Sequence, residues 1–273
     1  MNKPRTPREL KSFEPLSACI RSLATRGARD ASRNLWIEGA RSFIAACDAG
    51  LEFEAVVCSP ILLRCSVAEM LARRLAARGI RRWKLSPEQF RQVSMASRAS
   101  GIGAIVRQRW TRLDDVPRRS GLGWLVIESI RSPGNLGTIL RTAEAVGIGG
   151  VIFLGPRPDP FDPAVVRACM GGIFSLPLVR TSAEAVARWA ELRQVTLVGL
   201  APQAPRLWTE LPTETEVGLV LGDERNGLSV EAQRLCGTLV RLPMTGRADS
   251  LNVGVAAGVA MYELVRRSLA APA

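Results

Sequence analysis

The chain predicts an α/β fold in two parts: a small basic α/β domain, then a larger three-layer domain built on a mostly parallel sheet. Three observations carry this. Apolar strand-like runs alternate with helical patterns along most of the sequence. Three late segments, 128–147, 219–229 and 241–257, each pass from an apolar run through a Gly/Pro/Asn loop into a helix. Ligands of open α/β sheets lie at the carboxyl ends of strands, so three such loops point to one composite site. Charge is also divided: residues 1–120 hold 23 Lys/Arg against 11 Asp/Glu, and residues 121–273 hold 14 of each.

At 273 residues and 47% hydrophobic, the chain has room for two domains with sizeable cores. No run of eighteen uncharged apolar residues occurs, so no membrane span is expected. The segment Met1–Glu9 is polar and lacks the apolar stretch of a secretory signal, so a cytoplasmic location is expected. The six cysteines are scattered, with no Cys-x-x-Cys pair, and read as reduced thiols. The absence of histidine removes the commonest general base and the commonest metal ligand. No metal is expected. The basic excess of the first part reads as a polyanion-binding surface. The rival reading, charge that only keeps a small domain soluble, gives no reason for its confinement to one half.

In order, residues 1–12 read as a basic tail and 13–111 as the small domain. A helical pattern (Leu16, Ile20, Leu23) spans 13–32 and ends near Gly27. Asn34–Gly39 is a short apolar strand, 40–49 a helix, and Phe53–Ser59 a strand stopped by Pro60. A basic helix at 66–78 carries Arg73, Arg74 and Arg78. Arg82–Leu85 is a strand, Ser86 caps a helix with Pro87 at its first position, and Gly103–Arg107 is a strand. The polar, punctuated stretch 112–122 reads as the linker, and 123–273 as the second domain. There, 124–128, 150–154, 178–179, 196–200, 217–221 and 238–242 are strands. Helices fall at 138–146, 163–170, 183–192, 230–235 and 251–268.

The first loop, Ser132-Pro133-Gly134-Asn135, opens a helix for which Asn135 is a good N-cap. Arg141, more than a turn inside, is either a surface charge or a guanidinium aimed into a site. In the second loop, Asp223 and Glu224 follow a very apolar strand. They read as a carboxylate pair, or Asp223 and Asn226 read as helix caps. In the third, Asp249 or Ser250 caps a long helix dense in small residues: Gly254, Ala256, Ala257, Gly258 and Ala260. Such residues permit close packing of a neighbour or a ligand.

Together the three loops resemble the three motifs of the SpoU (TrmH-like) branch of the SPOUT RNA methyltransferases. The matching residues are Asn135-x5-Arg141-Thr142-Ala143 after the Pro133-Gly134 turn, then Gly222-Asp223-Glu224-x-x-Gly227-Leu228. The third match is Leu242-Pro243-Met244-x-Gly246 followed by Ser250-Leu251-Asn252-Val253. Leu35–Val56 and Gly101–Val106 carry a weaker likeness to that family's small, ribosomal-protein-like substrate domain. Asp223 stands where the family often has Asn or Pro, and Gly254 where it often has Ser.

The resemblance implies a deep trefoil knot in the second domain, an exception to the rule against threaded chains. It implies S-adenosylmethionine as cofactor, clasped by segments near 197–204, 222–228 and 242–254. The cofactor-binding residues would be Leu200, Ala201, Gly222, Glu224, Gly227, Leu242, Met244, Ser250, Leu251 and Asn252. The reaction would be methyl transfer to a ribose 2′-hydroxyl of RNA, with Arg141, Asn135, Glu224, Ser250 and Asn252 as the catalytic set. Members of the family are homodimers through this domain. The basic domain then reads as the RNA-capturing part, with Arg73, Arg74, Arg78, Arg81, Arg82 and Arg98 as contacts. Trp83 stacks either on a base or on the domain's own core. The expected target is 23S ribosomal RNA. The alternatives are transfer RNA, or a structured-RNA-binding assembly factor without turnover.

Overall fold

The computed structural model describes residues 7, 10–116, 122–155, 158–211 and 216–270. The chain divides into two compact units, 1–109 with 160–175, and 110–159 with 176–273.

In the first unit, α1 (Phe13–Ser22) and α2 (Arg26–Ser32) precede β1 (Asn34–Glu38), α3 (Ala40–Asp48), β2 (Phe53–Cys58), α4 (Ser66–Ala77), β3 (Arg81–Lys84), α5 (Pro87–Val93) and β4 (Ile102–Arg107). The sheet order is β1-β4-β2-β3. β4 is antiparallel to both neighbours, and β2 runs parallel to β3. Leu16, Ile20, Trp36, Phe90 and Ile105 build one core. The single helical pattern expected over 13–32 is two helices. The buried Arg29 of α2 donates to the carbonyls of Leu23 and Ala24, so this arginine satisfies helix-end groups of α1. Leu10, expected in a tail, is buried in the same core; residues 1–6, 8 and 9 of that expected tail lie outside the described residues.

The short helix α7 (Pro163–Ala168) belongs to this unit, although its sequence position suggested the second domain. It packs against β1 and buries Val165 and Val166. Arg167 donates to the Met95 carbonyl. Gly171, at φ +96°, lies so close to Ala45 that an added Cβ would meet that methyl at 2.5 Å. Such long-range packing leaves no local periodicity to read.

The second unit holds β5 (Trp124–Ile127), α6 (Pro133–Val146), β6 (Gly150–Leu154), β7 (Leu178–Thr181), α8 (Ala183–Arg193), β8 (Thr196–Leu200), β9 (Arg206–Leu207), β10 (Val217–Leu221), α9 (Val230–Leu235), β11 (Thr238–Arg241) and α10 (Val253–Ala270). The sheet order is β7-β6-β5-β10-β8-β11-β9, and the pairings are parallel. Trp124, Val126 and Val220 share a core with α8 and α9. Their strand neighbours Leu125 and Leu219 are equally buried, so β5 and β10 are covered on both faces. α6 packs along α10. Part of the expected linker is structural here: Leu113 and Val116 pack on the Trp124 core, and Arg193 donates to the Val116 carbonyl. Residues 117–121 of that linker lie outside the described residues. Among the described residues no helix is long and apolar enough to cross a membrane.

Candidate active site

The ends of β8, β10 and β11 open on a cleft of about 370 Å³. Leu200 and Ala201 form one wall, the 221–227 loop a second, and Leu242, Met244, Ser250 and Leu251 the rest. Gly222 is required there, because an added Cβ would fall 2.3 Å from the Gly227 carbonyl oxygen. Asp223 and Gly227 exchange two backbone hydrogen bonds of 2.9 Å, and Gly227 takes φ +67°.

Two expected helix caps are reassigned, which changes what the site residues are free to do. α6 starts at Pro133 rather than 138, because Ser132 is its N-cap: the Asn135 backbone N–H donates to Ser132 Oγ at 3.3 Å. The Asn135 side chain is released and turns to the second loop. α10 starts at Val253, and Asn252 rather than Asp249 or Ser250 caps it. Its Oδ1 accepts from the backbone of Gly254 at 2.9 Å and of Val255 at 3.4 Å. Asp223 and Asn226 are not helix caps either, since Ser229 caps α9.

These side chains join the three loops. Asn252 Nδ2 donates to Asn135 Oδ1 at 3.1 Å, and Asn135 Nδ2 donates to Glu224 Oε1 at 3.2 Å. Glu224 also accepts the backbone N–H of Arg131 (2.9 Å) and of Ser132 (3.0 Å), at the entrance to α6. Burial alone would raise this carboxyl, but those N–H groups and the Asn135 amide outweigh it and hold Glu224 below the usual carboxylate range. Asp223 is held low as well. Desolvation opposes this, and the N–H groups of Arg225 and Asn226 with the Arg131 guanidinium prevail. Arg131 Nε reaches Asp223 Oδ2 at 2.5 Å, and the Asp223 side chain is 8% exposed. Sequence reasoning missed Arg131. The chance of finding it lay in Asp223 itself, an acid where the resembling family often has a neutral residue.

Of the expected cofactor-binding residues, nine line the cleft; Asn252 does not, and serves instead as cap and hydrogen-bond link. Pro202, Gln203, Arg225 and Asp249, which lie within the expected segments but were not singled out for the cofactor, also line it. Arg141 lies on the exposed face of α6 and has no hydrogen-bond or ion-pair partner among the described residues.

The arginines expected to touch RNA divide in the first unit. Arg82, 12% exposed, makes two 2.7 Å bonds to Glu69 and donates to Cys58 Sγ, so it is an internal tie. Arg73 is exposed and shares Glu69. The Arg81 guanidinium sits 4.3 Å above the Trp83 ring, and Trp83 packs on the unit's core. Arg74 and Arg78 are exposed, lack partners among the described residues, and border a groove of about 300 Å³ floored by Leu51, Phe53 and Leu71. Arg98 is exposed on the 94–101 loop.

Residues 124–262 match the SpoU rRNA Methylase family. A 23S rRNA (uridine(2479)-2′-O)-methyltransferase of Streptomyces viridochromogenes is 35% identical over 174 residues, which span 62% of this chain and 61% of that protein. A tRNA/rRNA methyltransferase of Synechocystis, itself uncharacterized, is 32% identical over 74% of this chain and 73% of its own length. The crystal structure of an AdoMet-bound rRNA methyltransferase from Sinorhizobium meliloti superposes with a TM-score of 0.84 at 32% identity, covering 94% of this chain and 97% of that one. The AdoMet complex of the SpoU methyltransferase AviRb from Streptomyces viridochromogenes gives 0.83 at 28% identity, covering 93% and 99%. The family match spans half of the sequence and all three linked loops, and the chain belongs to the SpoU rRNA methylase family.

Proposed function

We propose that this protein is an S-adenosylmethionine-dependent RNA ribose 2′-O-methyltransferase and that its substrate is 23S ribosomal RNA. The observation that carries the reading is the Asn252–Asn135–Glu224 hydrogen-bond chain beside the cleft. It uses the residues that the family resemblance assigns to chemistry. The named activity of the similar Streptomyces viridochromogenes protein supports the choice of 23S ribosomal RNA.

The cleft fits the cofactor. Its volume is in the range of small-molecule sites, Leu200, Leu221, Leu242 and Leu251 offer apolar walls for a purine, and the close-packed Gly222–Gly227 backbone offers polar groups to its edge. The cofactor supplies a methyl group on a positively charged sulfur, ready for in-line attack. What this chain does is position. Asn135, fixed from both sides by Asn252 and Glu224, orients the ribose. Arg141 brings a guanidinium, which stabilises charge developing on the attacking oxygen or holds an adjacent phosphate. Ser250 completes the cleft wall and would lie beside the bound cofactor.

The knot belongs to the same reading. The cleft is lined from 200–203, 221–227 and 242–256, which largely overlap the segments that the resemblance threads, near 197–204, 222–228 and 242–254; this overlap supports a trefoil closed around the cofactor. The first unit serves as the RNA-capturing, ribosomal-protein-like domain, in the cytoplasm where its RNA lies. Arg74, Arg78 and Arg98 are the contacts best placed to reach phosphates. Dimerisation rests on α10: Val255, Val259 and Tyr262 lie exposed at helical spacing, beside an apolar groove of about 690 Å³ with Leu242 and Pro243.

The test is methylation of unmodified 23S ribosomal RNA and of transfer RNA with labelled S-adenosylmethionine, with ribose-methyl mapping, for wild type and Arg141→Ala. A single 2′-O-methyl site in 23S RNA, lost in the variant, is the expected result. A site in transfer RNA alone overturns the substrate. Cofactor binding without label in either RNA turns the reading towards an assembly factor.

A further inference from the structure

Four charged side chains line the cofactor cleft: Asp223, Glu224, Arg225 and Asp249. Two are already bonded through both carboxylate oxygens. Asp223 accepts from Arg225 N and Asn226 N on Oδ1 and from Arg131 on Oδ2. Glu224 accepts from Arg131 N on Oε2 and from Ser132 N and Asn135 Nδ2 on Oε1. The other two are exposed and have no side-chain partner among the described residues: one guanidinium and one carboxylate, on different loops of the same cleft. Asp249 is free because Asn252 caps α10 in its place.

One free charge of each sign on the walls of a single small-molecule cleft matches a zwitterion. The cofactor ends in one, the α-carboxylate and α-ammonium of its methionine part. We propose that Arg225 and Asp249 clamp this amino-acid end, Arg225 binding the carboxylate and Asp249 the ammonium. The inference rests on the cofactor assignment above. A guanidinium matches a carboxylate in shape as well as charge, and an aspartate accepts from an ammonium through either oxygen. The apolar walls then hold the adenosine, while the clamp fixes the other end. An RNA phosphate is the competing use for Arg225, and the sulfonium the competing use for Asp249.

The experiment is calorimetric titration of the full chain with three ligands: S-adenosylmethionine, S-adenosylhomocysteine, which lacks the sulfonium, and 5′-methylthioadenosine, which lacks the amino-acid end. Wild type, Arg225→Met and Asp249→Asn are compared. The expected result is that each substitution weakens the first two ligands about tenfold or more. Methylthioadenosine binding stays within about twofold, which also reports an intact cleft. If Asp249→Asn weakens S-adenosylmethionine alone, the carboxylate faces the sulfonium and the clamp is wrong. If Arg225→Met leaves both amino-acid ligands unchanged but raises the KM for RNA, Arg225 serves the substrate and the clamp is equally wrong. Equal loss of all three ligands shows an effect on cleft shape and overturns it too. Failure of the wild type to bind any of them removes the cofactor assignment itself.

Discussion

Asn252 and Asn135, 117 positions apart in sequence, share a 3.1 Å hydrogen bond from Nδ2 to Oδ1. Each asparagine works at both ends. Asn252 caps α10 with its oxygen while its nitrogen holds Asn135, and Asn135 passes its own nitrogen to Glu224. Both helix starts flanking the cleft are thus tied to the loop after β10.

This double duty separates stability from activity. Asn252→Asp keeps a capping oxygen and loses the donor, so methylation should fall roughly 100-fold with the melting temperature nearly unchanged. Asn252→Ala loses both functions and should also cost about 1 kcal/mol, or about 2–4 °C in Tm. Comparable melting losses in the two variants would contradict the division.

Glu224 gives the site an acid limit. Its carboxyl is held below its ordinary value, so its stabilising contribution is complete above the unfolded-chain pKa of about 4.3 and is lost as pH falls through the lower folded value. Stability of the wild type should therefore decline in this acid window more steeply than that of Glu224→Gln, which carries no titrating group there. At neutral pH the same variant should be less stable by roughly 1.5–3 kcal/mol, the scale of hydrogen bonds to a charged group. Equal acid slopes by thermal melting would remove Glu224 from this role.

The arginines of the first unit should sort by environment. Arg82→Ala leaves Glu69 without its bidentate partner and should lower stability, with little change in the salt dependence of RNA binding. Arg74→Ala with Arg78→Ala should do the reverse: unchanged melting, and a log–log salt slope shallower by about 1.4–1.8. Filter binding across a salt series reads the difference. An unchanged slope in the double variant would place the RNA elsewhere.

The exposed face of α10 predicts the assembly state. Val259→Asp puts a charge into the apolar stripe of Val255, Val259 and Tyr262. Sedimentation should show a dimer for wild type and a monomer for the variant. A wild-type monomer, or a dimer unaffected by Val259→Asp, would direct the search to another surface.

Much of this molecule was legible in the sequence, because its information is local. Alternation and turn residues mark β1, β2, β5, β6, β8 and β10 to within about a residue, since strand and turn preferences act over a few positions. The three loops announced the site, because each carries its own pattern of Gly, Asn and Glu. What only the tertiary structure decided depends on groups distant in the chain. Ser132 and Asn252 became the caps, freeing Asn135 and Asp249, because a side-chain oxygen bonds whichever N–H groups the folded helix start presents. Arg82 turned inward to Glu69 while Arg74 and Arg78 stayed in water. Residues 160–175 joined the first unit because Val165 and Val166 bury their surface against β1, a choice set by shape and invisible to periodicity.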